Sequence, residues 1–202
     1  MTISYPISLP ATPGFVSSRL AMRNVIAMSA SPFTGEQQTY RHQGQWWEFD
    51  VGLPPMLRAV AETWIAALGS LFGRHGTFLF SDPDAKTPLG TFTGSPTVNG
   101  ASQIGNNLIT AGWTSGITLK AGNYIQLGTG TTSRLYKILQ DVVATGGAAT
   151  LDIFPRLRES PANGASVVIA SPKGTFRLAA PFDWNADHLS RYGVSLSGIE
   201  AI

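Results

Sequence analysis

The sequence contains no cysteine. That removes a disulfide framework and any thiolate metal site, and it fits a chain made in a reducing cytoplasm. Charge is the next scarcity. Asp, Glu, Lys and Arg make up 13% of the 202 residues, against about 25% in an average soluble domain. Fourteen Lys and Arg nearly balance twelve Asp and Glu, leaving a formal net charge of +2. Stable nucleic-acid binding needs clustered basic residues that release counterions, and no such cluster occurs. Arg156 and Arg158 are the densest pair and read as ordinary solvated charges. No run approaches the roughly 18 apolar residues of a membrane-spanning helix. The opening MTISYPISLPATPGF has no basic start leading into an apolar block, so a secretion signal is not expected. A surface this poor in charge suits a subunit that hides much of itself against neighbours.

Enzyme signatures are missing too. There is no Gly-x-Ser-x-Gly, no glycine-rich phosphate loop ending in Lys-Ser/Thr, and no His-Glu-x-x-His. The three histidines, His42, His75 and His188, lie in separate segments. The most suggestive grouping is Asp183, Asp187 and His188 in FDWNADH, where two carboxylates and an imidazole resemble a metal set. Asp and Asn are also turn formers, and a turn into the last strand is the better reading. Asp82 and Asp84 in SDPD imitate a glycosidase pair, but Asp before Pro opens a turn. No catalytic residue, cofactor or metal is expected.

What is plentiful is Gly (22) and Pro (13), the mark of short strands and tight turns. The stretch Ser31–Asp82 organises the rest and holds three of the five tryptophans. Within it, Trp47, Phe49 and Val51 alternate with Trp46, Glu48 and Asp50, which predicts a strand from Trp46 to Gly52 with one buried face. Gln43-Gly44 reads as the turn of a hairpin joining Thr39–His42 to that strand. Pro55 is placed as the first residue of a helix. Leu57, Val60, Ala61, Trp64, Ile65, Leu68, Leu71 and Phe72 form its apolar stripe, and Gly73 is its left-handed cap. A helix of this kind must lie across a sheet. Ser18–Ala30 reads as a strand ending in a turn at Ser31-Pro32, and Gly76–Phe80 as another. At the N-terminus Ile3, Tyr5, Ile7 and Leu9 alternate, while Pro6 and Pro10 make this an edge strand or extended arm.

From about Gly90 to Pro172 helical periodicity disappears. Brief apolar runs at Asn107–Thr110, Tyr124–Leu127, Arg134–Leu139, Ala149–Phe154 and Ser166–Ala170 are punctuated by turns, Ala144-Thr-Gly-Gly147 among them. Such spacing predicts a small closed or half-closed β-barrel. GTFLF at Gly76 returns as GTFRL at Gly174. If those strands are neighbours, the intervening block is an insertion whose ends lie close together. The expected architecture is therefore mainly β with one or two helices. A split β-barrel with a helix packed on it, residues 1–90 and 173–202, carries a small inserted β-barrel, residues 91–172.

SPFTGEQQTYRHQGQWWEFDVGLPPM, followed by a helix ending LFGRHGTFLFSDPD, resembles tail proteins of long-tailed bacteriophages. GSPTVNGASQIGNNLITAGWTSG, LKAGNYIQLG, RLYKILQDV, ATLDIFPRLR and SPKGTFRLA resemble the same group. The ordered set, from about Ser31 to Leu178, is similar to distal tail or minor tail-tip proteins. The resemblance implies a virion structural protein whose copies, six by analogy, close into a ring under the tail tube. That ring would contact the tube, hub and tape-measure proteins and let DNA pass without binding it specifically. Many such proteins carry a large C-terminal carbohydrate-binding-like domain, whereas only a small inserted barrel is expected within these 202 residues. Tyr5 and Ile7 of the N-terminal arm, with Trp46, Trp113 and Tyr124, are the candidate interface residues. The alternative is a carbohydrate- or receptor-binding tip module contacting its ligand through Trp113 or Tyr124; a cell-wall hydrolase using the SDPD or FDWNADH carboxylates ranks third.

Overall fold

A computed structural model describes residues 3–202. In chain order its elements are β1 (Ile7–Ser8), β2 (Ser17–Ala30), β3 (Gln37–Gly52), β4 (Met56–Leu57), α1 (Arg58–Gly69), β5 (Phe78–Phe80), β6 (Gly94–Val98), β7 (Asn107–Trp113), β8 (Thr118–Leu119) and β9 (Tyr124–Leu127). A turn of 3-10 helix at Gly130–Thr132 precedes β10 (Arg134–Ile138), β11 (Val142–Val143), β12 (Ala148–Phe154), β13 (Val167–Val168), β14 (Gly174–Leu178), β15 (Trp184–Ala186) and β16 (Arg191–Glu200). The fold is mainly β, with a mixed sheet and a nearly closed six-stranded antiparallel barrel.

The mixed sheet runs β1-β5-β14-β16-β3-β2, with β15 and β4 paired to the outer part of β16. Among the described residues, only β1–β5 of its pairs is parallel. The GTFLF and GTFRL strands do lie side by side, Phe78 opposite Phe176 and Phe80 opposite Gly174. Alternation puts Trp47, Phe49 and Val51 of β3 on the same side as Val194 and Leu196 of β16, and all are buried. Phe49 is the hub of an aromatic cluster. It stacks on Phe80 at 3.8 Å and meets Phe78 and Phe176 edge-on, both favoured ring geometries.

The helix covers part of this face, but it starts later than its sequence suggests. Met56 and Leu57 are drawn into pairing with Tyr192 and Arg191, so Pro55 lies outside the helix and Leu57 is its N-cap. Of the apolar stripe, Ala61, Trp64, Leu68 and Leu71 are buried, whereas Leu57, Val60 and Phe72 face solvent. Gly73 is left-handed (φ 68°) as expected, yet the helix has already ended at Gly69 and Phe72 shares the conformation.

The second sheet runs β13-β9-β10-β12-β7-β6. A bridge from Thr97 to Ser166, with the Val98 amide donating to the Ala165 carbonyl at 2.8 Å, brings its two ends together. Leu108, Ile125, Tyr136, Leu151 and Ile153 fill it. At the Ala144–Gly147 turn both Gly146 and Gly147 have positive φ, 59° and 79°, which a two-residue hairpin loop of this twist requires.

The two cores are not insulated. Tyr124, Leu135 and Phe154, from barrel strands, pack in the same cluster as Trp47. The Trp47 indole N–H donates to the Leu135 carbonyl at 3.0 Å. Close by, Arg158 and Glu200 form an ion pair with two contacts, 3.1 and 2.5 Å, side chains 9% and 3% exposed. The reading of Arg158 as a solvated charge is thus overturned. Its partner stands 42 positions away in sequence, beyond the reach of any local pattern.

Candidate assembly surface

The largest departure from the sequence reading is in β3. Gln43-Gly44 is not a turn. The strand continues through it, and the chain reverses at Ser31–Glu36, where the Ser31 amide donates to the Glu36 carbonyl at 2.8 Å. Between Asn24↔Gln45 and Ile26↔Arg41 the register shifts, so Gln43-Gly44 belongs to a bulge. A Cβ on Gly44 would stand 2.7 Å from the Val25 side chain. Glycine in a strand interior marks bulges and close approaches as well as turns.

The consequence is a two-stranded ribbon that runs past the sheet. Ile26–Ala30 pair with Gln37–Arg41, carrying the hairpin roughly 15–20 Å farther. Near its root Arg41 binds the Asn106 side chain, Gln45 accepts hydrogen bonds from Asn106 and from the Arg156 amide, and the Gln45 amide donates to Asn24. Beyond that root the ribbon is uncovered, and it exposes large apolar side chains among its polar ones. Ile26 is 58% exposed, Met28 65%, Tyr40 66% and Phe33, in the turn, 95%. Register places Ile26 and Met28 on the side that also carries Arg41 and Thr39, with Tyr40 and Ala27 on the other. An isolated two-stranded ribbon is at best marginally stable in water, and large apolar side chains left exposed on both of its sides favour a contact there.

On the sheet's outer face Arg23 meets Glu48 at 2.7 Å near the ribbon root, and Arg19 meets Asp50 at 2.9 Å toward the opposite end of the β2–β3 pair. Trp46 lies here as alternation requires, half-buried, its indole N–H donating to Glu48 at 2.9 Å. The Trp46 and Arg23 hydrogen bonds hold the Glu48 carboxyl below its ordinary value.

The remaining candidates are corrected by burial. Trp113 is 4% exposed inside the barrel, its N–H donating to Thr110 Oγ1 at 2.8 Å. Tyr124 is buried against Trp47, its hydroxyl 3.3 Å from Asp82 and 3.1 Å from the Lys137 ammonium. Neither ring faces outward, so a sugar contact through Trp113 or Tyr124 has no exposed face to use. Tyr5 donates to the Ser70 carbonyl at 2.7 Å and Ile7 pairs with Phe78. Both are half-buried against their own sheet. Sequence reasoning missed Ile26, Met28, Phe33 and Tyr40. The available signal was that Ser18–Ala30 is far longer than the partner strand a Gln43-Gly44 turn would give it.

The carboxylate groupings behave as turns. Asp82 accepts the Asp84 amide at 3.2 Å, and Asp187 accepts the Leu189 and Arg191 amides at 2.9 and 2.8 Å. Among the described residues no three of His, Asp and Glu gather as a metal site.

The buried tyrosines supply a pH test. Burial pushes the Tyr136 hydroxyl up to about 12, and burial with the Asp82 carboxylate pushes Tyr124 up as well. An unfolded tyrosine ionises near pH 10. Protons are therefore lost first from the unfolded chain, and the stabilisation is intact below about pH 10 and declines as pH rises toward about 12. For Tyr136 the full difference is worth about 2–3 kcal/mol. Urea midpoints taken from about pH 9 to 11 should fall steadily, and the fall should shrink in Tyr136→Phe.

No family model matches the chain, and no curated protein aligns with it.

Proposed function

We propose that the protein is a ring-forming structural subunit of a bacteriophage tail tip, joining the tail tube to the hub and receptor-binding parts. The observation that carries this reading is the β2–β3 ribbon, with its uncovered Ile26, Met28, Phe33 and Tyr40. In a chain with 13% charged residues such a surface is best suited to burial against another copy or a tail partner. A ribbon beyond one edge of a sheet that ends in β1 on the other is asymmetric. Contacts between unlike patches build closed rings when the rotation closes. The near-balanced charge suits a bore through which DNA passes without adhering. The resemblance of the ordered motifs from Ser31 to Leu178 to tail-tip proteins supports this specific reading.

The test is assembly. Native mass spectrometry and electron microscopy of the protein, alone and with tail-tube and hub proteins, should show a discrete closed particle of several copies. Ile26→Asp combined with Met28→Asp should abolish it while shifting unfolding free energy by no more than about 0.5 kcal/mol, since both sites are exposed. A wild-type protein that stays a single copy with every partner present would sink the reading.

A further inference from the structure

At the edge of the mixed sheet opposite β2, strand β1 ends at Ser8, and a cleft of about 320 Å³ opens between residues 8–15 and the end of β5. Leu9, Phe15 and Phe80 give it apolar walls. Its rim is basic. The chain has four lysines. Lys120 pairs with Asp141 at 2.7 Å, and Lys137 reaches the Tyr124 hydroxyl at 3.1 Å. Among the described residues the side chains of the other two, Lys86 and Lys173, have no partner, and both line this cleft. The Ser171 amide donates to the Lys86 carbonyl at 2.8 Å, which holds the two lysine-bearing segments side by side. Asp82 is the one carboxylate in the lining, and it already accepts the Asp84 amide at 3.2 Å and the Tyr124 hydroxyl at 3.3 Å. The cleft is therefore apolar inside and net positive at its mouth.

We propose that the ribbon tip of one copy seats in this cleft on the next copy, with Phe33 against Leu9, Phe15 and Phe80 and the Glu36 carboxylate between Lys86 and Lys173. Both halves of the match stand on this chain, so a second copy is the occupant that fits. Phe33, 95% exposed, is the most exposed large apolar side chain among the described residues. Glu36, three positions on, is exposed and has no cationic partner among them. The tip is already shaped. The Ser31 hydroxyl accepts the Phe33 and Thr34 amides at 3.3 Å each, and its carbonyl accepts the Gly35 amide at 3.0 Å. Little ordering is left to be done on docking. A cavity of about 150 Å³ admits benzene, so a phenyl ring and part of its loop have room here. Tip and cleft belong to opposite edges of the sheet, which makes the contact head-to-tail, the kind that closes rings. This contact rests on the reading of the ribbon as an assembly surface and names what receives its end.

Charge exchange tests it. Under the conditions in which the wild type assembles, native mass spectrometry is applied to Glu36→Lys and to Lys86→Glu with Lys173→Glu. Each should raise the protein concentration needed for assembly about tenfold or more, because like charges then meet. Mixed together they should recover the particle with the two variants in equal number, since only unlike copies now match. Phe33→Ala should raise that concentration about tenfold or more as well. All the sites are exposed, so melting temperatures should stay near that of the wild type. Wild-type assembly in either charge variant or in Phe33→Ala, or no recovery on mixing, would overturn the contact. In those cases a wild-type particle that Ile26→Asp with Met28→Asp still abolishes keeps the tail-tip reading. A wild type that never assembles overturns both.

Discussion

Replacing Trp47 with alanine is expected to destabilise the protein by about 3–5 kcal/mol and to lower the melting of sheet and barrel together. Trp47 is 1% exposed and sits where the two cores meet. Its ring packs edge-on against Phe154 at 5.1 Å and tilts against Tyr124 at 5.8 Å, both from barrel strands. Its backbone amide donates to Glu200 at 3.2 Å and its indole to Leu135. Removing it leaves a cavity bordered by both lobes, with the Leu135 carbonyl unpartnered. Urea unfolding followed by far-ultraviolet dichroism and by amide hydrogen exchange in the barrel strands separates the possibilities. Coincident transitions displaced together support a shared core. A barrel signal that stays at its original midpoint would show that the lobes unfold independently. Trp47→Phe keeps most of the ring and loses the indole hydrogen bond, so about 1–2 kcal/mol is expected.

Arg158→Ala should cost a comparable 3–5 kcal/mol, for a different reason. The guanidinium is the partner of Glu200, whose side chain is 3% exposed, so truncation strands a carboxylate in the interior. Most of the expected loss is that stranded charge and not the intrinsic worth of the pair. Arg158→Met with Glu200→Leu should therefore recover much of it, and the double-mutant cycle should give a coupling on the order of 1–3 kcal/mol. Denaturant midpoints of the four proteins decide this. Additive single-variant losses would mean that the two side chains contribute separately, contrary to their geometry. The exposed Arg58–Glu62 pair at 3.5 Å is the control, expected to be worth about 0.5 kcal/mol or less.

The contrast between these residues and the ribbon explains what was legible. Trp47, Phe49 and Val51 announced a buried face because alternation is a local property, readable without knowing the partner strand. Five of the six barrel strands were legible as brief apolar runs between turns, Gly94–Val98 being the exception, and the pairing of Gly76–Phe80 with Gly174–Leu178 was signalled by the echo of GTFLF in GTFRL. Gln43-Gly44 was not. The dipeptide permits either a turn or a bulge, and only the Val25 side chain opposite settles which. Pro55 likewise fits a helix start until Tyr192 and Arg191 claim Met56 and Leu57 for strand pairing.

Sequence alone thus determined the fold class, the buried face of the Trp46–Gly52 strand and the absence of thiol chemistry, since these rest on composition and on neighbours within a few positions. Tertiary structure decided which tryptophans face inward, that Arg158 is buried against Glu200, and how far the ribbon reaches. Each of those depends on groups that meet across tens of residues, and burial belongs to the folded surface as a whole.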